Sequence, residues 1–96
     1  MPSQFIHYSN ILIFLIQNMS LTKKEKDFVE KLGDRIVEIR QEKKIKQIEL
    51  SDFLDMDDGS LRRIESGRTN PTTTTLLSIA KALKVSVADL FDFPMK

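Results

Sequence analysis

The sequence predicts an all-α domain built from five helices. Apolar residues recur at steps of three and four from Phe28 to Leu90, helix-capping spacings recur at Thr22 and Ser86, and no segment alternates with the period of two that a half-buried strand needs. With 96 residues there is room for one compact domain and a tail. Hydrophobic residues at 41% and charged residues at 30% are those of an ordinary globular chain. The absence of cysteine excludes disulfide frameworks, thiolate metal sites and cysteine nucleophiles, and the single histidine excludes a polyhistidine metal site. No catalytic residue, metal or cofactor is expected, and the composition favours a binding protein of a reducing, cytoplasmic compartment.

Each element has its own local signal. Thr22 and Glu25 stand at capping-box spacing, so a helix begins at Lys23 and runs to about Glu42, with Phe28, Leu32, Ile36 and Ile39 as its apolar stripe. A second helix spans Gln47 to Leu54 with Leu50, Ser51 and Leu54 inward; Lys46 before it has no acceptor with which to cap it. After Asp55-Met56-Asp57, Asp57 caps a third helix that buries Leu61 and Ile64 and stops at Gly67. Thr72 caps a fourth, with Leu76, Ile79, Ala80 and Leu83 buried, and Ser86 with Asp89 opens a short fifth carrying Leu90 and Phe91.

Residues 1–19 read differently. Phe5 to Ile16 is mostly apolar but shorter than the ~20 residues that cross a bilayer, has no basic flank before it and no small-residue cleavage site after it. No membrane role is expected. The segment reads as an extension, either an arm packed on the domain or its dimer partner, or sequence upstream of a start at Met19; the binding domain is assigned to residues 20–96.

The second and third predicted helices, joined by about three residues, describe a helix-turn-helix. Ser51 must be small where the third helix crosses it, and Asp55 must tolerate a left-handed backbone in the turn. Such a unit presents the third helix outward, where it can enter a DNA major groove. The net charge of +1 provides no global field, so attraction to DNA must come from a local patch. Arg62 and Arg63 lie on the outward face of the third helix, and Asp58 with Arg62 has the spacing of an i,i+4 ion pair.

Leu32 to Phe91 resembles the Xre/Cro type of helix-turn-helix domain of phage repressors and bacterial regulators. The resemblance rests on LGDRIVEIRQEK, QIELSDFL, GSLRRIESG, and NP followed by LLSIAKALKVSVADLF. It implies a lambda-repressor-like five-helix fold that binds double-stranded DNA as a homodimer on a two-fold operator. It also implies an ion pair between Arg40 and Glu65, and a Gln47 that touches a phosphate and braces the third helix. Lys43, Lys44, Lys46, Arg68 and Asn70 are implied on flanking loops that meet the DNA backbone. Asp58, Gly59 and Ser60 fall in the first turn of the third helix, where relatives carry base-reading residues, and an aspartate there can accept from cytosine N4. Leu90, Phe91, Phe93 and Met95 supply apolar surface for a dimer interface, although Leu90 and Phe91 alternatively complete the core. The chain departs from the pattern at Lys44 and Asp55, where glycine is usual, at Lys46, where a serine or threonine cap is common, and in the acidic pair Asp57-Asp58. That pair leaves open a second reading: an antitoxin-like module that has exchanged DNA for a protein partner.

Overall fold

The structure, a computed structural model, describes residues 21–95; the apolar run Phe5 to Ile16 and the extension assigned to residues 1–19 lie outside them. Among the described residues the regular elements are all helical: α1 (Lys23–Glu42), α2 (Gln47–Phe53), α3 (Asp58–Glu65), α4 (Thr73–Leu83) and α5 (Val87–Leu90).

Local chemistry sets the starts. Thr22 Oγ1 accepts the Glu25 N–H at 3.0 Å while Glu25 Oε1 accepts the Thr22 N–H at 2.9 Å, and Ser86 and Asp89 repeat the exchange at 3.1 and 2.9 Å. Thr72 Oγ1 accepts the Thr75 N–H at 3.2 Å. Lys46 lends α2 no side-chain cap; instead Glu49 Oε1 reaches back to the Lys46 N–H at 2.9 Å. Two helices end through left-handed lysines: Lys44 and Lys84 both have φ of 59°, and Ile45 and Val85 then donate to the carbonyls of Arg40 and Ala80 at 3.0 Å. Those bonds close each last turn as a glycine would.

All five helices feed one core, with Ile36, Leu50, Leu61, Ile79, Leu83 and Leu90 wholly inside. Along α1 the buried stripe is Val29, Leu32, Gly33, Ile36 and Ile39. Phe28, expected within that stripe, is instead 36% exposed. Its ring leaves the core to stack on Phe91 at 5.8 Å and to tilt against Phe93 at 5.4 Å, and Val29 takes the inward position. Among the described residues, no helix is long and apolar enough to cross a membrane.

Candidate nucleic-acid interface

The turn between α2 and α3 is made by Asp55, whose φ of 52° places it in the left-handed region that aspartate tolerates better than most residues. Met56 N–H then donates to Ser51 O at 3.0 Å and closes the corner. Ser51 is fully buried beneath it. Its hydroxyl lies 2.6 Å from Asp58 Oδ1 and 2.9 Å from Ile48 O, both acceptors. A polar tie thus joins the middle of α2 to the start of α3. The spacing of Ser51 predicted a small residue, but not this bond, because nothing local marks a partner seven residues away across a turn.

The other end of α3 is held by charge. Arg40 Nε donates to Glu65 Oε2 at 2.8 Å and Nη2 to Oε1 at 3.2 Å, with only 11% and 5% of the two side chains exposed. Gln47 Nε2 donates to Glu65 Oε1 at 2.7 Å, and Arg40 Nη1 donates to Ile45 O at 3.0 Å. One glutamate therefore ties α1, α2 and α3 together, and the same arginine fixes the loop bearing Lys43, Lys44 and Lys46. The close approach depends on Gly33. A Cβ there would lie 2.5 Å from Glu65 O and 2.6 Å from Ile64 O, both backbone atoms. Helical period alone does not mark Gly33, although a glycine inside a helical stripe is itself a sign of close packing.

Braced at both ends, α3 turns Arg62 and Arg63 outward; Arg68 and Asn70 are exposed on the loop that follows it, and Lys44 and Lys46 are exposed between α1 and α2, whereas Lys43 lies beside Ala82, Leu83 and Lys84 at the end of α4. Arg63 Nη2 donates to Ser60 Oγ at 3.2 Å, and Arg68 Nε donates to Ser66 Oγ at 3.0 Å. The Ser60 backbone N–H and hydroxyl, with the Arg63 charge adding to them, hold the Asp57 carboxyl below the usual carboxylate range. Asp57 is thus an anionic cap.

Two expectations are corrected. Asp58 and Arg62 do not form a side-chain ion pair: the Asp58 carboxylate is taken by Ser51, and Arg62 Nε reaches only the Asp58 backbone carbonyl at 3.4 Å. Leu90 offers nothing to an interface, being 0% exposed and part of the main apolar cluster. The capped turn at Ser86 drives it inward between α1 and α4. Phe91 and Phe93 keep an exposed edge beside Phe28, and Met95 is exposed.

Comparison with known proteins fits this geometry. A family profile described as Helix-turn-helix matches residues 36–90. The immunity repressor protein of Bacillus phage phi105 is 37% identical over 57 residues, which cover 59% of this chain but only 40% of that protein. Among solved structures, the restriction-modification controller protein C.AhdI from Aeromonas hydrophila superposes with a TM-score of 0.64 at 28% identity, covering 66% of this chain and 96% of that one. The clp gene regulator ClgR from Corynebacterium glutamicum gives a TM-score of 0.64 at 32% identity, over 66% of this chain and 82% of that one. With more than half of its length matched by the profile and its turn, brace and outward helix in place, the chain belongs to the helix-turn-helix family of Xre/Cro type.

Proposed function

We propose that this protein is a sequence-specific DNA-binding transcriptional regulator of the cytoplasm, acting as a homodimer on a two-fold operator. The observation that carries the reading is α3 itself: a helix pinned at both ends by part-buried polar ties, with two arginines on its free face and an exposed Arg68 on the loop that follows. Rigid presentation of a cationic helix is what major-groove recognition needs, since loop cations meet phosphates while the helix meets base edges. Gln47, whose amide braces Glu65, is in this reading also a phosphate contact at the start of α2. One such helix has little contact surface, so useful affinity calls for two half-sites; Phe91, Phe93 and Met95 are the apolar groups offered to a partner copy.

The test is a titration of duplex DNA at several salt concentrations. Binding that weakens linearly in log–log coordinates supports the proposal, because each neutralised phosphate releases counterions. Sedimentation at micromolar concentration giving a strict monomer, alone and on DNA, would remove the dimer.

One observation favours the protein-partner reading instead. Phe53 is 72% exposed and Ile48 55% exposed, on opposite flanks of α2, and large apolar groups left in water tend to mark contacts with other proteins. Salt-insensitive or absent DNA binding would bring that reading forward.

A further inference from the structure

A recognition helix meets base edges with its N-terminal residues, yet in α3 each of these is committed elsewhere or has no side chain. Asp57 takes the Ser60 N–H on Oδ1 at 2.7 Å and lies 3.1 Å from the Ser60 hydroxyl through Oδ2. Asp58 is turned to Ser51 at 2.6 Å. Gly59 has nothing to offer. The Ser60 hydroxyl, while donating to Asp57, accepts from Arg63 Nη2 at 3.2 Å. A relay thus runs from the Arg63 guanidinium through Ser60 to the Asp57 carboxylate.

Gly59 completes the arrangement. Its φ is not positive, unlike that of Gly67, so no backbone conformation requires a glycine there, and a glycine within a helix is unfavourable. A Cβ built on it would lie 3.4 Å from Arg63 Nη1 and 3.2 Å from Asp57 Oδ1. The guanidinium therefore lies beside the space that a longer side chain at this position would fill. Helical side chains lean toward the N-terminus, and residues four apart share a face, so an arginine at 63 runs forward over 59 of its own accord.

We propose that Arg63 is the base-reading group at the leading end of α3, and that Gly59, Ser60 and Asp57 are positioning residues that bring its guanidinium there. The ligand is a guanine in the major groove, whose O6 and N7 accept the paired N–H groups of an arginine. Asp58 is a brace rather than a reader of cytosine. This inference rests on the DNA-binding function proposed above.

The experiment selects bound duplexes from a randomised pool with the full chain, its Arg63→Ala, Gly59→Gln and Gly59→Ala variants, and helicity and thermal midpoint recorded for each. The wild type should enrich guanine at one position of each half-site. Arg63→Ala should lose that preference by about five- to a hundredfold while the remaining positions persist. Gly59→Gln, which introduces a better helix former, should stay folded and lose the same preference because its side chain displaces the guanidinium. Gly59→Ala, whose methyl group meets Nη1 at an ordinary contact distance and asks the Asp57 carboxylate, 3.2 Å away, to give by only a few tenths of an ångström, should keep it. Retention of the guanine by Arg63→Ala, or by a folded Gly59→Gln, overturns the inference while leaving DNA binding intact. A wild type that enriches nothing and binds no duplex in a salt-dependent way overturns the DNA-binding function itself.

Discussion

The two ends of α1 are held by different physics. Near its C-terminus, Arg40 donates to Glu65, which also accepts from Gln47, through directional, charge-assisted bonds in a nearly closed pocket. Near its N-terminus, Phe28 rests on Phe91 and Phe93 with ring centroids 5.8 and 5.4 Å away and edges open to water; past the middle of the helix, Arg35 Nε donates to the Asp89 carbonyl at 2.9 Å. Ring packing rewards area and tolerates rotation, whereas a forked guanidinium on a carboxylate fixes an angle. The angular constraint sits at the end of α1 that sets the pose of α3, the helix whose free face the proposed function uses. The tolerant contact sits at the far end, where only the closing of the chain is at stake.

The largest effect should come from breaking the charged end. Three donors, Arg40 Nε and Nη2 and Gln47 Nε2, converge on two Glu65 oxygens. An amide at 65 supplies one acceptor and turns its own N–H groups toward a donor, while the arginine stays desolvated. Glu65→Gln should therefore destabilise the domain by about 3–5 kcal/mol in denaturant unfolding. Glu49→Gln, at an exposed carboxylate whose acceptor the amide retains, should change little. Similar small effects from both would show that the brace contributes no more than a surface bond.

Next comes Gly33, between the two ends. Alanine is the better helix former by ~1 kcal/mol, but its methyl group would stand 2.5 Å from a backbone oxygen of α3. Backbone cannot rotate away, so the helices must part. We expect Gly33→Ala to cost about 1–3 kcal/mol net and to reduce the coupling between Arg40 and Glu65 measured in a double-mutant cycle. A neutral or stabilising Gly33→Ala would mean that the crossing is slack.

The same contrast explains what the sequence makes legible. Caps at Thr22, Asp57, Thr72 and Ser86 are readable because donor and acceptor lie within three residues, and the apolar stripes of α3 and α4 follow from helical period alone. Arg40 and Glu65 stand 25 residues apart, and only the resemblance to relatives joins them. Phe28 misleads because its periodicity is right while its destination, a pair of rings beyond α5, is set by the path of the C-terminus. Leu90 misleads in the opposite direction: its place at the end of a short apolar helix is as consistent with an interface as with a core, and tertiary packing alone decides. Ser51 and Asp58 meet across a corner whose geometry comes from the left-handed turn at Asp55, so their bond exists only once the turn is built.

The aromatic end should yield less. Phe28→Ala removes a half-exposed ring whose pair interactions are worth ~0.5–1.5 kcal/mol beyond area burial, and solvent already reaches one edge. A loss of about 1–2 kcal/mol is expected, with α3 undisturbed. DNA affinity, where it exists for the wild type, should be unchanged in folded Phe28→Ala and reduced in folded Glu65→Gln. Reversal of that order would place the orienting function at the aromatic end.

The smallest effects concern two exposed cap carboxylates, Asp57 at the start of α3 and Asp89 in α5. The Ser60 backbone N–H and hydroxyl hold Asp57 below its ordinary pKa, with Arg63 adding to them, and those of Ser86 do the same for Asp89, with Arg35 and Lys43 adding to the latter. A carboxyl depressed in the folded state contributes stability above its unfolded pKa and loses that contribution as pH falls through the folded value. The window therefore opens near pH ~4, the ordinary aspartate range, and extends downward. Asparagine caps a helix about as well as aspartate but does not titrate. Asp57→Asn and Asp89→Asn should each leave stability at neutral pH close to that of the wild type and flatten its decline below pH ~4. Urea midpoints across that range measure both. Two charges, Arg35 and Lys43, act on Asp89 and one, Arg63, acts on Asp57, so added salt should erase more of the Asp89 contribution than of the Asp57 contribution. Equal salt sensitivity would mean that the hydrogen bonds of the two caps, rather than their neighbouring charges, set both shifts.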